Sequence, residues 1–365
     1  MKIVIIGNYG AHNIGDEAVL FGILHLLRKY IPHAEITVLS YDPNNTEQQH
    51  HVSAAYLLPF GIRSFLKFGW KKTIRVLQQA DYVLIGGGAL FTDEKMKAMY
   101  LWGYHAKIAS RYCSHVILFA HTIGPLQTKR GIAIMKKVLG LVQSISVRDA
   151  KSKDVIHQLD PTKKVIVASD PAFLLNKIII QKKKKQVVIN LRPWMHNNQM
   201  NTIRVMGNVC NNFINKEYGI VLLPFQTFQA DDRKILQQIY DCILNKKSVQ
   251  FVTNDVDLNA IMQIIGESEF VIGMRLHSLI LSILQHVPFI ALSYSDKIYN
   301  MLVDIHWEQY SIDIQQITEK KIGDLVYDLE MHKNEMERKL QKAALDMKQR
   351  AAFNLECLPP DVLEN

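Results

Sequence analysis

The chain has 365 residues, 48% of them hydrophobic, with a formal net charge of +9 and a pI near 9.2, which describes a globular protein of two domains drawn to anionic partners. Cys113, Cys210, Cys242 and Cys357 are scattered without a CxxC pair, which argues against a disulfide frame or structural zinc and fits reduced thiols in the cytoplasm. The apolar run 3–6 is too short for a signal-peptide core, no stretch approaches the roughly 18 apolar residues of a membrane span, and no zinc-finger or RNP-like pattern supports nucleic acid as a partner.

Residues 2–7 (KIVIIG) predict a buried strand, and NYGAHNIGDE leads from it into an apolar-periodic helix through Leu20, Ile23, Leu24, Leu27 and Ile31. Strand, glycine-rich turn and helix form the opening unit of a doubly wound sheet. Gly7, Gly10 and Gly15 fit neither GxGxxG nor P-loop spacing. Asn13 suits an N-cap, and Asp16 and Glu17 suit the helix dipole; the same acids would repel a phosphate, so a functional loop here grips neutral hydroxyls, with Asp16 as general base. Residues 35–39 predict a second strand. Residues 65–77 (FLKFGWKKTIRVL) interleave aromatic and basic side chains, which suits either an anionic bilayer, at about 1 kcal/mol per well-placed Lys or Arg, or a surface helix with its apolar face in the core.

Residues 82–85 predict a strand ending in Gly86, Gly87 and Gly88, where the backbone admits a close ligand or a tight loop. A helix over 95–112 precedes VILFAHTIGP, with His121 at a strand's end. SISVRDA then brings Arg148, and VIVASDPAF puts Asp170 at the end of another strand. The four lysines 182–185 read as a solvated boundary between a first domain, 1–181, and a second, 186–314. The second half repeats the alternation, with strands at 187–191, 220–223, 249–252, 270–272 and 288–294. The charged segment 315–365 reads as helical, and a return onto the first domain is one arrangement open to it. Asp255 and Asp257 form a D-x-D, but they open a helix, where acids are ordinary caps, so no metal site is assigned.

Residues 270–278 (FVIGMRLHS) concentrate the chemistry. A strand ends at Gly273, a helix begins within LILSIL, and between them stand Arg275, His277 and Ser278, suited to holding an anion and moving a proton. An Arg paired with a nearby acid and an ordinary surface His would use the same residues. Gly86 to Gly88, His121, Arg148, Asp170, Arg192 and Arg275 to Ser278 all fall at strand ends, the edge that holds ligands in open parallel sheets. Each also has a structural explanation: Arg148 pairing with an acid, Asp170 before Pro171 in a turn, His121 satisfying a buried hydrogen bond.

GNYGAHNIGDEA, LIGGGALF, HTIGP, SVRD, SDPAF and GMRLHS follow in this order between residues 7 and 278, and together the sequence resembles the polysaccharide pyruvyl transferase family. The resemblance implies an α/β fold of two Rossmann-like doubly wound domains facing across a cleft, glycosyltransferase B-like, and transfer of pyruvate from phosphoenolpyruvate to a sugar as a ketal. It implies that Arg148, Arg275 and His277 match positions associated with the phosphoenolpyruvate site. Ligand contacts for Asp16, Asn13, Arg192 and the glycines follow from position. The reaction uses phosphoenolpyruvate as donor and needs neither a redox cofactor nor a metal; Arg148 and Arg275 would clamp the donor, His277 supply a proton and Asp16 accept one. The acceptor is then a sugar of a cell-wall or exopolysaccharide precursor, with a lipid-linked form placing residues 65–77 at the inner face of the membrane. Two other functions use the same architecture: a nucleotide-sugar-dependent glycosyltransferase and a non-catalytic carbohydrate-binding protein.

Overall fold

In the computed structural model, which describes residues 1–60, 70–194, 199–228, 231–254 and 256–363, the chain divides into two α/β units. The first comprises Met1–Ala11, Asp16–Leu174 and Met347–Asn365, and the second His12–Gly15 and Leu175–Asp346. The division therefore falls after Leu174, and the lysine run 182–185 lies inside the second unit. The helical C-terminal segment is shared, its residues up to Asp346 belonging to the second unit and those from Met347 to the first.

In the first unit, β1 (Lys2–Ile6), β2 (Glu35–Ser40), β3 (Ser53–Tyr56), β4 (Tyr82–Phe91), β5 (Val116–Ile123), β6 (Ser144–Val147) and β7 (Val165–Val167) form a parallel sheet in the order β3-β2-β1-β4-β5-β6-β7. Ile3 to Ile6 are all buried, because helices cover both faces of such a sheet and an unbroken apolar run is what its central strands need. The connecting helices are α1 (Ile14–Tyr30), α2 (Pro43–His50), α3 (Trp70–Gln78), α4 (Met96–Tyr112), α5 (Lys129–Leu141) and α6 (Ala150–Leu159). Asp16 and Glu17 in the first turn of α1 and Arg28 and Lys29 in its last complement the helix dipole.

The second unit repeats the pattern with β8 (Gln186–Asn190), β9 (Gly219–Leu222), β10 (Val249–Phe251), β11 (Phe270–Gly273), β12 (Phe289–Ser293) and β13 (Ser311–Asp313), in the order β10-β9-β8-β11-β12-β13. Its helices are α7 (Gln199–Asn215), α8 (Arg233–Cys242), α9 (Leu258–Glu267), α10 (Leu276–Gln285), α11 (Asp296–Asp304) and α12 (Glu319–Met331), with α13 (Lys333–Ala352) following. Residues 278–285 of α10 are all buried, which marks a helix enclosed by its own unit. In both sheets the chain runs outward from one strand and then returns to that strand's other side. The resulting switch points lie between β1 and β4 and between β8 and β11, where loops diverge and leave a crevice.

Several sequence expectations are corrected. Gly86, Gly87 and Gly88 lie within β4, which continues to Phe91, and His121 lies within β5; neither stands beyond a strand's end. Pairing of Gly86 with Phe119 and Gly88 with His121 carries the ladder through, with a register shift after Gly88. Positive φ at Gly87 (61°) and Gly88 (115°) bends the strand where a side chain would be strained. β3 and β13 are short edge strands without a strong apolar run. Of the basic aromatic stretch, residues 65–69 lie outside the described residues; in α3, Thr73 and Leu77 are buried, and Lys71, Lys72 and Arg75 are exposed. Asp255 also lies outside the described residues, and Asp257 caps α9 by accepting from Ala260 N at 2.7 Å. No helix among the described residues is long and apolar enough to cross a membrane.

A Cβ at Gly22 in α1 would collide with the carbonyl oxygen of Pro171, whereas Gly323 in α12 has open space around it. Alanine gains about 1 kcal/mol over glycine in a helix, but overpacking costs about 1–3 kcal/mol. Gly22→Ala is expected to lower the melting temperature and Gly323→Ala to raise it; two shifts of the same sign would contradict this packing.

Candidate functional site

The second unit's switch point is assembled around one buried carboxylate. Asn190, at the end of β8, pairs with Gly273 at the end of β11; its Nδ2 donates to Leu223 O at 2.8 Å and its Oδ1 accepts from Arg275 N at 3.1 Å. A Cβ on Gly273 would stand 2.6 Å from Ser278 Oγ, so only glycine lets the first turn of α10 approach this closely. Ser278 is fully buried and donates Oγ–H to Arg275 O at 2.6 Å, which fixes the turn; it supports the site. Arg275 sits at the N-cap of α10 without capping it. Its guanidinium instead grips Asp232, Nε to Oδ2 at 3.1 Å and Nη2 to Oδ1.

Asp232 has no exposed surface, and its Oδ2 also accepts from Phe225 N at 3.0 Å and Gln226 N at 3.1 Å. Burial pushes its carboxyl above the usual range, while Arg275 and the two amides oppose that and favour the charged form. The loop so held pairs with His12–Gly15 of the same unit: Asn13 bridges Gln226, Ile14 N donates to Phe225 O at 2.9 Å, and Thr227 N donates to His12 O at 3.3 Å. Asn13 Oδ1 accepts from Gly15 N at 3.1 Å, the capping geometry its sequence position suggested. Gly15 thereby lies on the imidazole of His277, so close that a Cβ would collide with Nδ1. Arg192, just past β8, donates from Nη1 to Tyr294 Oη at 2.8 Å and lies 5.1 Å from the Tyr294 ring centroid.

The first unit's switch point has a different character. Tyr9 Oη donates to Gly86 O at 2.8 Å and ties the loop after β1 to β4. Glu17 is buried and consumed in bracing: Oε1 accepts from Gly10 N at 2.9 Å and Oε2 lies 2.8 Å from His50 Nε2. Asp16 is half-buried and accepts from Asn8 Nδ2 at 2.7 Å; a Cβ on Gly88 would stand 3.8 Å from its Oδ1. His121 is fully buried between Ile85 O (2.8 Å) and Gly88 O (3.3 Å). Burial pushes its pKa down to about 4, against the pull of the Ile85 carbonyl, so the imidazole is neutral and braces the glycine segment. Arg148 is buried with Nη1 2.6 Å from Asp170 Oδ2, and its Nε and Nη2 make no hydrogen bond to a described residue.

The predicted residues thus fall into two groups. Arg275, His277, Ser278, Asn13 and Arg192 belong to the second unit, and Asp16, Gly86 to Gly88, His121, Arg148 and Asp170 to the first. Asp232, Asn190, Tyr9, Asn8 and Tyr294 escaped the sequence reading. Asp232 looks like an ordinary acid before α8, and Tyr294 like the last residue of an apolar run. Among the described residues no group of three or more His, Cys, Asp or Glu is placed to hold a metal ion.

Two parallel doubly wound sheets with polar residues gathered at their switch points define a two-unit Rossmann-like protein of the glycosyltransferase B type. Solved structures agree on the fold: the chain is similar to Alr3699/HepE of Anabaena in complex with UDP-glucose, with a TM-score of 0.63 and 13% identity over 98% of each chain. It is also similar to UDP-GlcNAc 2-epimerase of Neisseria meningitidis bound to UDP-GlcNAc, with a TM-score of 0.62 and 13% identity over 100% of each chain. The polysaccharide pyruvyl transferase family model matches residues 13–296, and the chain belongs to that family. It is also 24% identical to the amylovoran biosynthesis protein AmsJ of Erwinia amylovora, over 94% of this chain and 95% of AmsJ.

Asp232→Ala strands the Arg275 guanidinium without its buried partner, a change that typically costs about 3–5 kcal/mol, and is expected to lower the urea midpoint strongly. An unchanged midpoint would contradict the bracing role. A second expectation concerns pH. His105 and His121 are both fully buried, and burial brings each to about 4. With folded values below the unfolded ~6.5, their contribution is complete above that pH and is lost as pH falls toward 4, by up to ~3 kcal/mol each. Urea unfolding from pH 7 to 4.5 should show this loss, with a shallower fall in His105→Gln.

Proposed function

We propose that the protein transfers pyruvate from phosphoenolpyruvate to a sugar of an exopolysaccharide or cell-wall precursor as a ketal, releasing phosphate. The observation that supports this reading best is the second unit's switch point, where Arg192 and Arg275 follow the adjacent strands β8 and β11 and His277 stands in the first turn of α10, in a chain of the pyruvyl transferase family. Phosphoenolpyruvate presents a carboxylate and a phosphate, and planar guanidinium groups suit both. The N-terminus of α10, at Leu276, adds the positive end of a helix dipole, which favours anions.

The reaction divides into two additions at C2. A sugar hydroxyl attacks C2 as a proton reaches C3, then phosphate departs and a second hydroxyl closes the ketal. His277 is the proposed donor of the C3 proton, its imidazole being the side chain that follows Arg275 by two residues at the start of α10. Asp16, in a polar setting with Asn8, is the proposed acceptor of the hydroxyl proton. The first unit's Asn8, Asp16 and Gly88 suit neutral hydroxyls. Arg148 stays a proposed ligand contact: leaving buried donors unsatisfied costs about 1–3 kcal/mol, which a ligand oxygen or a water would offset. In the same reading Lys71, Lys72 and Arg75 on α3 touch an anionic membrane that presents a lipid-linked acceptor.

The test is phosphate release from phosphoenolpyruvate against a panel of sugar acceptors, free and lipid-linked on anionic vesicles. The expected result is acceptor-dependent release with a pyruvate mass added to the sugar, reduced at least 100-fold in Arg275→Ala and His277→Ala. Replacing Lys71, Lys72 and Arg75 should impair only the vesicle-borne acceptor. No release with any acceptor, together with thermal stabilisation by UDP-glucose and none by phosphoenolpyruvate, would overturn the reading.

A further inference from the structure

Tyr294 is a residue of the second unit's switch point that no proposed step has used. Asn190, Gly273 and Ala291 stand in register across the adjacent strands β8, β11 and β12. Arg192, Arg275 and Tyr294 follow them by two or three residues, so one row of three parallel strands delivers two guanidinium groups and a phenol to the same carboxyl edge. Lys297, in the first turn of α11, adds a third cation 5.8 Å from the Tyr294 ring centroid. The hydrogen bond from Arg192 Nη1 has a directional consequence. A guanidinium only donates, so the phenolic oxygen accepts and its own proton is left for another partner; Tyr294 makes no other hydrogen bond to a described residue.

We propose that Tyr294 is a catalytic acid–base residue of this site, shuttling the proton of the second half-reaction. The proposal rests on the phosphoenolpyruvate reading. As the C2–O bond to phosphate breaks, its electron pair goes to the phosphate oxygen, and the Tyr294 hydroxyl gives that oxygen a proton. The resulting phenolate is held by Arg192, Arg275 and Lys297. When the second sugar hydroxyl attacks C2, its proton passes to the phenolate and restores the phenol. The proton lost by the sugar is thus the one gained by phosphate, and no oxidant or reductant enters. His277 and Asp16 serve the first addition, so the two half-reactions use separate acid–base groups.

The electrostatics agree with this geometry. Burial alone would raise the phenol's pKa, but Lys297, Arg192 and Arg275 overcome it and bring Tyr294 down to about 8. Asp232 is engaged by Arg275 and two backbone amides, so it neutralises part of one cation, while Arg192 donates to the phenol and Lys297 lies over its ring. At pH 7 such a phenol is roughly nine-tenths protonated, which suits an acid, and its conjugate base forms without a large penalty.

The test compares wild type with Tyr294→Phe in acceptor-dependent phosphate release, and with 2,3-difluorotyrosine placed at position 294. Tyr294→Phe is expected to lower kcat at least 100-fold with KM for phosphoenolpyruvate within threefold, and to lose the alkaline limb of the kcat profile near pH 8. The more acidic fluorinated phenol should move that limb to lower pH, in a side chain that keeps the bond from Arg192. Retained kcat in Tyr294→Phe, a loss expressed mainly in KM, or a limb unmoved by fluorination would overturn the role and leave the donor reading standing. Absence of any phosphoenolpyruvate turnover by wild type would overturn both.

Discussion

One buried carboxylate organises the second unit's site. Asp232 gathers four donors, two from the Arg275 guanidinium and two from the backbone at Phe225 and Gln226. A carboxylate without exposed surface is tolerable only when its lone pairs are so occupied. The arrangement fixes the direction of Arg275 at the start of α10 and the course of the loop that pairs with residues 12–14. That loop in turn brings Gly15 against His277. A buried ion pair is weak evidence of stability for its own sake, since an apolar substitute of equal volume would serve; here it sets the geometry of an arginine and, through the backbone, of a histidine.

The two units use the same topology with different side chains at the switch point. Each sheet reverses strand order beside its first strand, and each reversal opens its loops at the carboxyl edge. In the first unit the loop after β1 is braced by Tyr9 and Glu17, and Asn8 donates to Asp16. In the second, the charges of Lys297, Arg192 and Arg275 act together on the phenol of Tyr294. The lysines 184 and 185 of the conspicuous run pair with Glu267 and Glu217 at the surface, where such pairs are worth little.

Tyr294 shows how position sets a side chain's electrostatics: burial raises its pKa, while Lys297, Arg192 and Arg275 lower it to about 8. Strand adjacency brings Arg192, 102 residues away, and Arg275 to the phenol, where they join Lys297 from the first turn of α11, just after β12. No local feature of PFIALSY announces an acidic tyrosine. In the opposite sense, His121 follows a conspicuous HTIGP signature yet is a neutral, enclosed brace, because the strand continues past it and its imidazole fills the space between two carbonyls.

The local order of the chain was legible from the residues themselves. Apolar runs of strand length, glycines at close approaches and acids at helix starts determine the alternation of strand and helix, because each depends on neighbours within a few residues. The order of GMRLHS likewise placed an arginine, a histidine and a serine at a strand-to-helix turn. Tertiary structure decided what each of them does. It gave Arg275 a partner 43 residues away, turned Ser278 inward as a support, and paired Arg148 with Asp170 in the interior. It carried β4 through its three glycines, because pairing with β5 outweighed their preference for a turn. Periodicity reports the burial a segment needs; the partner of a charge depends on which strands become neighbours, and that is settled only when the sheet forms.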